Sequence, residues 1–236
     1  MPVQSQKIML KVSDGTEVQA YVSKPAELSP SVGLIVFQEA FGVNHHMRSV
    51  TDRFAEHGYL AICPELFHRT APVGLELAYD NFQAVMPYYQ ALTDAGLEAD
   101  GKACFDWLTG QGAKNIGCVG FCLGGRVSFL TNASLPYKAA VSYYGGGIAP
   151  TLLPKAKDQK APVLFHWGGL DKHITPEIVK SVEEAMKTAG KNYISAVYSQ
   201  ADHAFSCDDR PNYNAEAAEL AWVSTIAFLK LHLSKV

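Results

Sequence analysis

The sequence predicts a single α/β domain over residues 1–236, built on a mostly parallel sheet of about eight strands flanked by helices. Three observations predict it. Short continuous apolar runs recur at 34–37, 59–63, 116–119, 139–143, 163–167 and 194–198, the pattern of strands buried on both faces. Segments with helix-spaced apolar residues lie between most of these runs, which is the alternation that βαβ units require. The length of 236 residues suits one such domain, and 48% hydrophobic against 18% charged residues suits a packed core.

The elements follow in chain order. Residues 8–12 alternate weakly, Asp14-Gly15 reads as a hairpin turn, and 18–22 alternates again with Val18, Ala20 and Val22 on one face. These are two peripheral antiparallel strands. After the first buried run, 46–57 carries Met47, Val50 and Phe54 at helix spacing. The stretch 70–96 has the least regular pattern. A helix is expected there around 75–85, where such folds place substrate-contacting insertions. A helix at 97–108 precedes the run 116–119, and another at 126–132 follows it. The helix 176–189 opens with Thr175 as N-cap and Pro176 in its first turn. The terminal helix 215–233 sets Ala217, Leu220, Ala221, Phe228 and Leu231 along one stripe.

Composition narrows the function. A net charge of -3 offers no basic patch for nucleic acid or an anionic membrane. No apolar run approaches the roughly 20 residues that span a bilayer. The start, Met1 through Lys7, lacks the apolar core of a signal peptide. Cys63, Cys104, Cys118, Cys122 and Cys207 are odd in number and irregular in spacing, so a reducing, cytoplasmic setting is expected rather than a disulfide framework. A monomer or small homo-oligomer acting on a small molecule fits these properties.

The chemistry centres on Gly120-Phe121-Cys122-Leu123-Gly124-Gly125. An apolar run precedes it and a helical segment follows, the strand–sharp turn–helix context of a nucleophile elbow. A thiol there predicts covalent acyl chemistry. A thiol nucleophile needs a base, and the base needs an orienting acid. In α/β-hydrolases these come in the order nucleophile, acid, histidine. Asp171 follows the run 163–167 and the turn Gly168-Gly169-Leu170, and His203 follows 194–198 and Ser199-Gln200-Ala201-Asp202. All three therefore fall in loops at one edge of one sheet, with Cys122 expected on one ring nitrogen of His203 and Asp171 on the other. An oxyanion needs two backbone donors. Leu123, after the nucleophile, supplies one, and Ala40, in Gln38-Glu39-Ala40-Phe41-Gly42 after the run 34–37, supplies the other. No metal or cofactor is expected. Cys118 and Cys122 have no second ligand pair at a useful distance, His45-His46 opens a helix, and Gly145-Gly146-Gly147 lacks the Lys-Ser/Thr of a phosphate loop.

With these residues in place, the chain resembles the dienelactone hydrolase family along almost its whole length. The motifs that carry the resemblance are Gln38 through Asn44, Gly58-Tyr59 to Cys63-Pro64-Glu65-Leu66, the Cys122 elbow, Tyr143-Tyr144-Gly145, His166 through Asp171, and Asp202-His203-Ala204-Phe205. The resemblance implies a Cys-Asp-His triad on a minimal α/β-hydrolase core without a large cap domain. It implies a carboxymethylenebutenolidase-like opening of enol-lactones, as in the breakdown of chloroaromatic compounds through dienelactone to maleylacetate. It also implies that the Glu39 carboxylate interacts with the resting thiol and takes part in thiolate formation. A nearby carboxylate disfavours a second negative charge, so the resting thiol would stay largely neutral. Phe41 and Tyr144 would contact substrate. Members hold the substrate carboxylate with two arginines, and here the sequence departs. Residues 72–97 contain no Arg, and Cys207 stands close to where the second is expected, leaving Arg69 and Arg210 as candidates. Two alternatives follow: a hydrolase of thioesters or bulkier uncharged esters, or a non-catalytic ligand-binding descendant.

Overall fold

The structure, a computed structural model, describes residues 1–27 and 31–234. Among them eight strands form one mostly parallel sheet with flanking helices, an α/β-hydrolase fold without a large cap. The chain divides into two compact units, Met1–Ile116 and Gly117–Val236. Among the described residues no helix is long and apolar enough to cross a membrane.

In the first unit, β1 (Val3–Lys11) and β2 (Glu17–Pro25) pair antiparallel, and β2 pairs antiparallel with β4 (Leu60–Pro64). β4 runs parallel to β3 (Val32–Phe37), with Leu34 opposite Ala61. Val18, Ala20 and Val22 are buried, as their alternation predicts, and β4 and all but the first residue of β3 are buried. α1 (His45–Glu56) starts where the Asn44 side chain accepts the Met47 N–H at 3.1 Å, and it buries Met47, Val50 and Phe54. α3 (Asp94–Gly110) begins one turn earlier than the apolar spacing predicts, because the Thr93 hydroxyl caps the Gly96 N–H at 3.1 Å. The helix expected at 75–85 is displaced. α2 spans Phe82–Gln90, starting where the Asn81 side chain accepts the Ala84 N–H at 3.2 Å. The chain ahead of it is tied instead to the loop after β3, with Leu77 N–H donating to the Phe41 carbonyl at 3.0 Å.

The second unit carries β5 (Asn115–Phe121, which begins at the end of the first), β6 (Ala140–Tyr143), β7 (Val163–Gly168) and β8 (Tyr193–Tyr198), all parallel and adjacent in that order. Their C-terminal ends therefore share one edge, where open α/β sheets build their sites. β6 and β7 are buried throughout. β8 departs from the expected two-sided burial: Ile194 and Val197 are 52% and 55% exposed, because β8 ends the strand order. α4 (Leu123–Asn132) follows β5, and α5 (Pro176–Thr188) follows β7. Thr175 occupies the N-cap position of α5, but its side chain makes no capping bond.

α6 (Ala215–Leu233) has its predicted limits but a different buried stripe. Ala217, Ala221, Thr225, Phe228, Leu229 and Leu233 are buried, while Leu220 and Leu231 are 54% and 58% exposed. A polar residue lies at the centre of that stripe because it is satisfied. Thr225 Oγ1 is 2.7 Å from the Tyr143 hydroxyl and 3.0 Å from His166 Nε2.

Candidate active site

Cys122 joins β5 to α4 at φ 54° and ψ -112°, outside the regions that side chains favour. Holding a non-glycine residue there costs on the order of 1–3 kcal/mol. Backbone bonds over-determine the turn. The Cys122 N–H donates to the Tyr143 carbonyl at 3.0 Å, and its carbonyl accepts from Gly125 at 3.0 Å and Arg126 at 3.3 Å. Glycine is required on both sides. A Cβ on Gly120 would lie 1.8 Å from the Gly124 carbonyl oxygen, and one on Gly125 would lie 2.6 Å from that of Tyr143. Leu123 is the first residue of α4, so its N–H has no acceptor within the helix.

His203 comes from the loop after β8. That loop lies against the end of β7, where a Cβ on Gly168 would meet the Asp202 carbonyl oxygen at 2.7 Å. Asp202 holds the backbone rather than the ring, accepting the His203 N–H on Oδ1 at 2.6 Å. His203 Nε2 is 3.2 Å from Cys122 Sγ, and Nδ1 is 2.7 Å from Asp171 Oδ2. The other Asp171 oxygen accepts N–H groups of His173 at 2.8 Å and Ile174 at 3.1 Å. The structure thus brings the three predicted side chains into one hydrogen-bonded row inside the second unit.

Electrostatics bias that row toward charge. Burial works against the His203 imidazolium, but negative charge on the Cys122 sulfur, once its proton has moved to the ring, and the bonded Asp171 carboxylate override it and push the ring up to about 10. Burial also works against the Asp171 anion, yet His203 and the two backbone donors outweigh it and hold the carboxyl below its usual range. Cys118, four residues before Cys122, meets the opposite environment. It is fully buried beside Ser128, and burial pushes its thiol up to about 12. A partly exposed sulfur beside an oriented imidazole is what nucleophilic acyl transfer requires.

The remaining candidates sort differently. In the first unit, Glu39 and Ala40 lie in the loop after β3, beyond Gln38, and are buried. The buried Gln38 side chain bridges this loop, donating from Nε2 to the Glu39 carbonyl at 2.9 Å and accepting the Leu66 N–H at 3.0 Å. Phe41 is buried against Tyr79, with ring centroids 4.7 Å apart. Arg69 is committed elsewhere, which argues against the substrate role expected for it. Its Nε donates to Asp14 Oδ2 at 2.7 Å, and Nη1 and Nη2 grip the buried Asp100 carboxylate at 2.9 Å each. In the second unit, Tyr144 is buried rather than open to a ligand. Its ring centroid lies 5.2 Å from that of His203, and its hydroxyl is 2.7 Å from Ser206 Oγ. Arg210 closes a turn with Cys207, its N–H donating to the Cys207 carbonyl at 3.1 Å. Sequence reasoning missed the donors His173 and Ile174 and the link between Tyr144 and Ser206. An Asp two residues before a backbone donor is an Asx-turn signal that points to the first pair. Nothing local in the sequence points to the second.

Comparison with known proteins agrees with this arrangement at the level of family. The model of the dienelactone hydrolase family matches residues 18–233. A protein of Methylorubrum extorquens, provisionally named carboxymethylenebutenolidase, is 36% identical over 228 residues, covering 92% of this chain and 77% of its own length. A Yersinia pestis protein with the same provisional name is 36% identical over 233 residues, covering 93% and 86%. Among solved structures, a provisionally named dienelactone hydrolase from Klebsiella pneumoniae superposes with a TM-score of 0.88 at 30% identity, over 97% of this chain and 98% of its own. A dienelactone hydrolase-like promiscuous phosphotriesterase from metagenomic libraries shares the fold, with a TM-score of 0.81 at 22% identity over 98% and 99% of the two chains.

Proposed function

Because the chain belongs to the dienelactone hydrolase family, we propose that it opens lactones or cleaves small esters through an acyl group carried on Cys122. The observation that carries this reading is the row Cys122 Sγ, His203, Asp171, with contacts of 3.2 and 2.7 Å at the two ring nitrogens of one imidazole.

The steps follow from that geometry. His203 Nε2 takes the thiol proton as Sγ bonds to the substrate carbonyl carbon, and the carbonyl π pair moves onto oxygen. That oxyanion is held by the Leu123 N–H, with the Ala40 N–H as the second donor in this reading. The pair returns, the carbon–oxygen bond to the leaving group breaks, and the leaving oxygen takes the proton from Nε2. A thioester remains on Cys122. Nε2 next removes a proton from water, whose oxygen attacks the thioester. The carbon–sulfur bond breaks, and the sulfur regains its proton as the acid departs. Asp171 keeps Nδ1 protonated throughout, so that Nε2 is the basic nitrogen. Glu39 is assigned a part in thiolate formation on the family resemblance alone.

Mixing enzyme with 4-nitrophenyl acetate and following intact mass tests the reading. The expected result is a transient gain of one acetyl group on Cys122, with continuing release of nitrophenol. Cys122→Ala should fold, show no adduct and lose turnover. Undiminished hydrolysis by that variant would remove the assignment, and a permanent adduct without turnover would favour a non-catalytic binding protein.

A further inference from the structure

We infer that the outer face of α6, with the adjoining edge of β8, pairs with the same face of a second copy of this chain, the two α6 helices lying antiparallel across a two-fold axis. The sequence spaces Leu220 and Leu231 as core residues, yet the fold does not absorb them. α6 buries Ala217, Ala221, Thr225, Phe228, Leu229 and Leu233 on one side. On the other side Leu220, Val223 and Leu231 are each more than half exposed, and Ala227 between them is exposed as well. At about 3.6 residues per turn these four positions fall on one stripe. A helix that is apolar on both sides is one whose second side is covered in its working state.

β8 extends that surface within the same unit. It ends the strand order, and its residues Tyr193–Tyr198 include no charge and no proline, the devices that usually blunt a sheet edge. By strand alternation the exposed Ile194 shares its side of the sheet with Tyr198. The Tyr198 hydroxyl meets His166, which in turn meets Thr225 of α6, so Ile194 lies on the α6 side. Val197 and Leu220 line one hollow at the end of β8. Charge selects the occupant. The stripe itself is uncharged, but exposed Glu216 and Glu219 flank it at the N-terminal end of α6 and exposed Lys230 flanks it at the C-terminal end. Laid antiparallel, the acidic end of each helix meets the basic end of the other. Glu219 and Lys230 bracket nearly the same midpoint as Leu220 and Leu231, so one two-fold axis level with Thr225 serves both pairs. The face is therefore complementary to itself, as an isologous pair requires. An uncharged centre with charge at the rim is also the usual composition of an interface.

Sedimentation equilibrium of the full chain tests this. At micromolar concentration the wild type should have twice the 25.6 kDa mass of one chain. Leu220→Glu combined with Leu231→Glu should raise the dimer Kd by about a hundredfold, because each copy loses both apolar contacts. Lys230→Glu should raise it by about tenfold, since it sets like charges together at both ends of the pair. Adding Glu216→Lys and Glu219→Lys to Lys230→Glu reverses every charge and should restore the wild-type Kd, a rescue that only the antiparallel arrangement gives. All these positions are exposed, so circular dichroism should not change; if the leucine variant loses its fold, the charge series alone decides. A wild type that stays monomeric into the tens of micromolar, a dimer unmoved by the leucine changes, or a charge reversal that fails to rescue would each overturn the inference.

Discussion

His166 and His203 lie in the same unit, and each has both ring nitrogens hydrogen-bonded, yet their surroundings drive them in opposite directions. His166 points from inside β7 into the core, with Nδ1 3.0 Å from the Tyr198 hydroxyl and Nε2 3.0 Å from Thr225 Oγ1. Its partners are neutral, so burial dominates and pushes it down to about 3. His203 is also largely withdrawn from water, but its partners are a carboxylate and a thiol, and it is pushed up to about 10. Burial therefore does not distinguish a structural from a reactive histidine in this molecule; the charge of the partners does. Position decides which partners are available. A residue within β7 meets other core side chains, whereas a residue past the end of β8 meets the loops that gather at the sheet edge.

Asp171→Asn breaks the comparison most severely. It removes one of the two charges, the other being on Cys122, that separate the two histidines, and presents Nδ1 with an amide that no longer enforces one tautomer. By analogy with serine triads, kcat should fall by about ten-thousand-fold, with folding intact. Stability should respond as well. His203 has a folded pKa above its ordinary 6.5, so its contribution is full below 6.5 and is lost as pH rises toward 10. Chemical denaturation across that window should show a shallower decline for the variant than for the wild type. An unchanged kcat would show that Asp171 does not orient the ring.

His166→Phe attacks the other member of the pair. It keeps an aromatic ring in the core but strips a partner from the Tyr198 hydroxyl and from Thr225, at a cost of about 1–3 kcal/mol. Activity per folded molecule should change little. The pH signature has the opposite sign to that of His203. A histidine held neutral with a folded pKa near 3 contributes fully above 6.5 and loses that contribution as pH falls toward 3. The variant should therefore lose stability less steeply than the wild type over that acid window. An acid limb of unchanged slope would assign that decline to other groups.

Much of this contrast was legible in the sequence, and the reasons for the failures are physical. Cys122, Asp171 and His203 could be placed because each follows an apolar run, and β5, β7 and β8 are indeed parallel with a common edge. The glycines of the elbow mark it because no Cβ fits at Gly120 or Gly125. Periodicity failed where burial depends on neighbours distant in the chain. An apolar run could not announce that β8 is an edge strand. Spacing along α6 could not reveal that Thr225 belongs to the core, since its partners Tyr143 and His166 come from β6 and β7. The stretch before α2 misled because the Leu77 N–H is taken by the Phe41 carbonyl, a long-range bond that replaces helical ones. Arg69 looked available only because its partners Asp14 and Asp100 lie 55 and 31 residues away.

Tyr144 links the two histidines, and its replacement should have the smallest effect. Its N–H donates to the His166 carbonyl at 2.7 Å, its ring lies 5.2 Å from that of His203, and its hydroxyl is 2.7 Å from Ser206 Oγ, three residues past His203. The backbone at Tyr144 has φ 37°, a conformation that persists only where surrounding contacts enforce it. Tyr144→Phe keeps the ring and the backbone bond and removes the hydroxyl that meets Ser206. The cost should be about 1 kcal/mol in stability. If that tie sets the seat of His203, kcat should fall severalfold while KM stays constant, and Ser206→Ala should reproduce the loss. The double variant should then be no worse than either single one, because both remove the same bond. Additive losses in the double variant would show that the two hydroxyls act through different contacts, and that the His203 loop is held instead by Asp202 and by Asn212, whose Nδ2 donates to the His203 carbonyl at 3.3 Å.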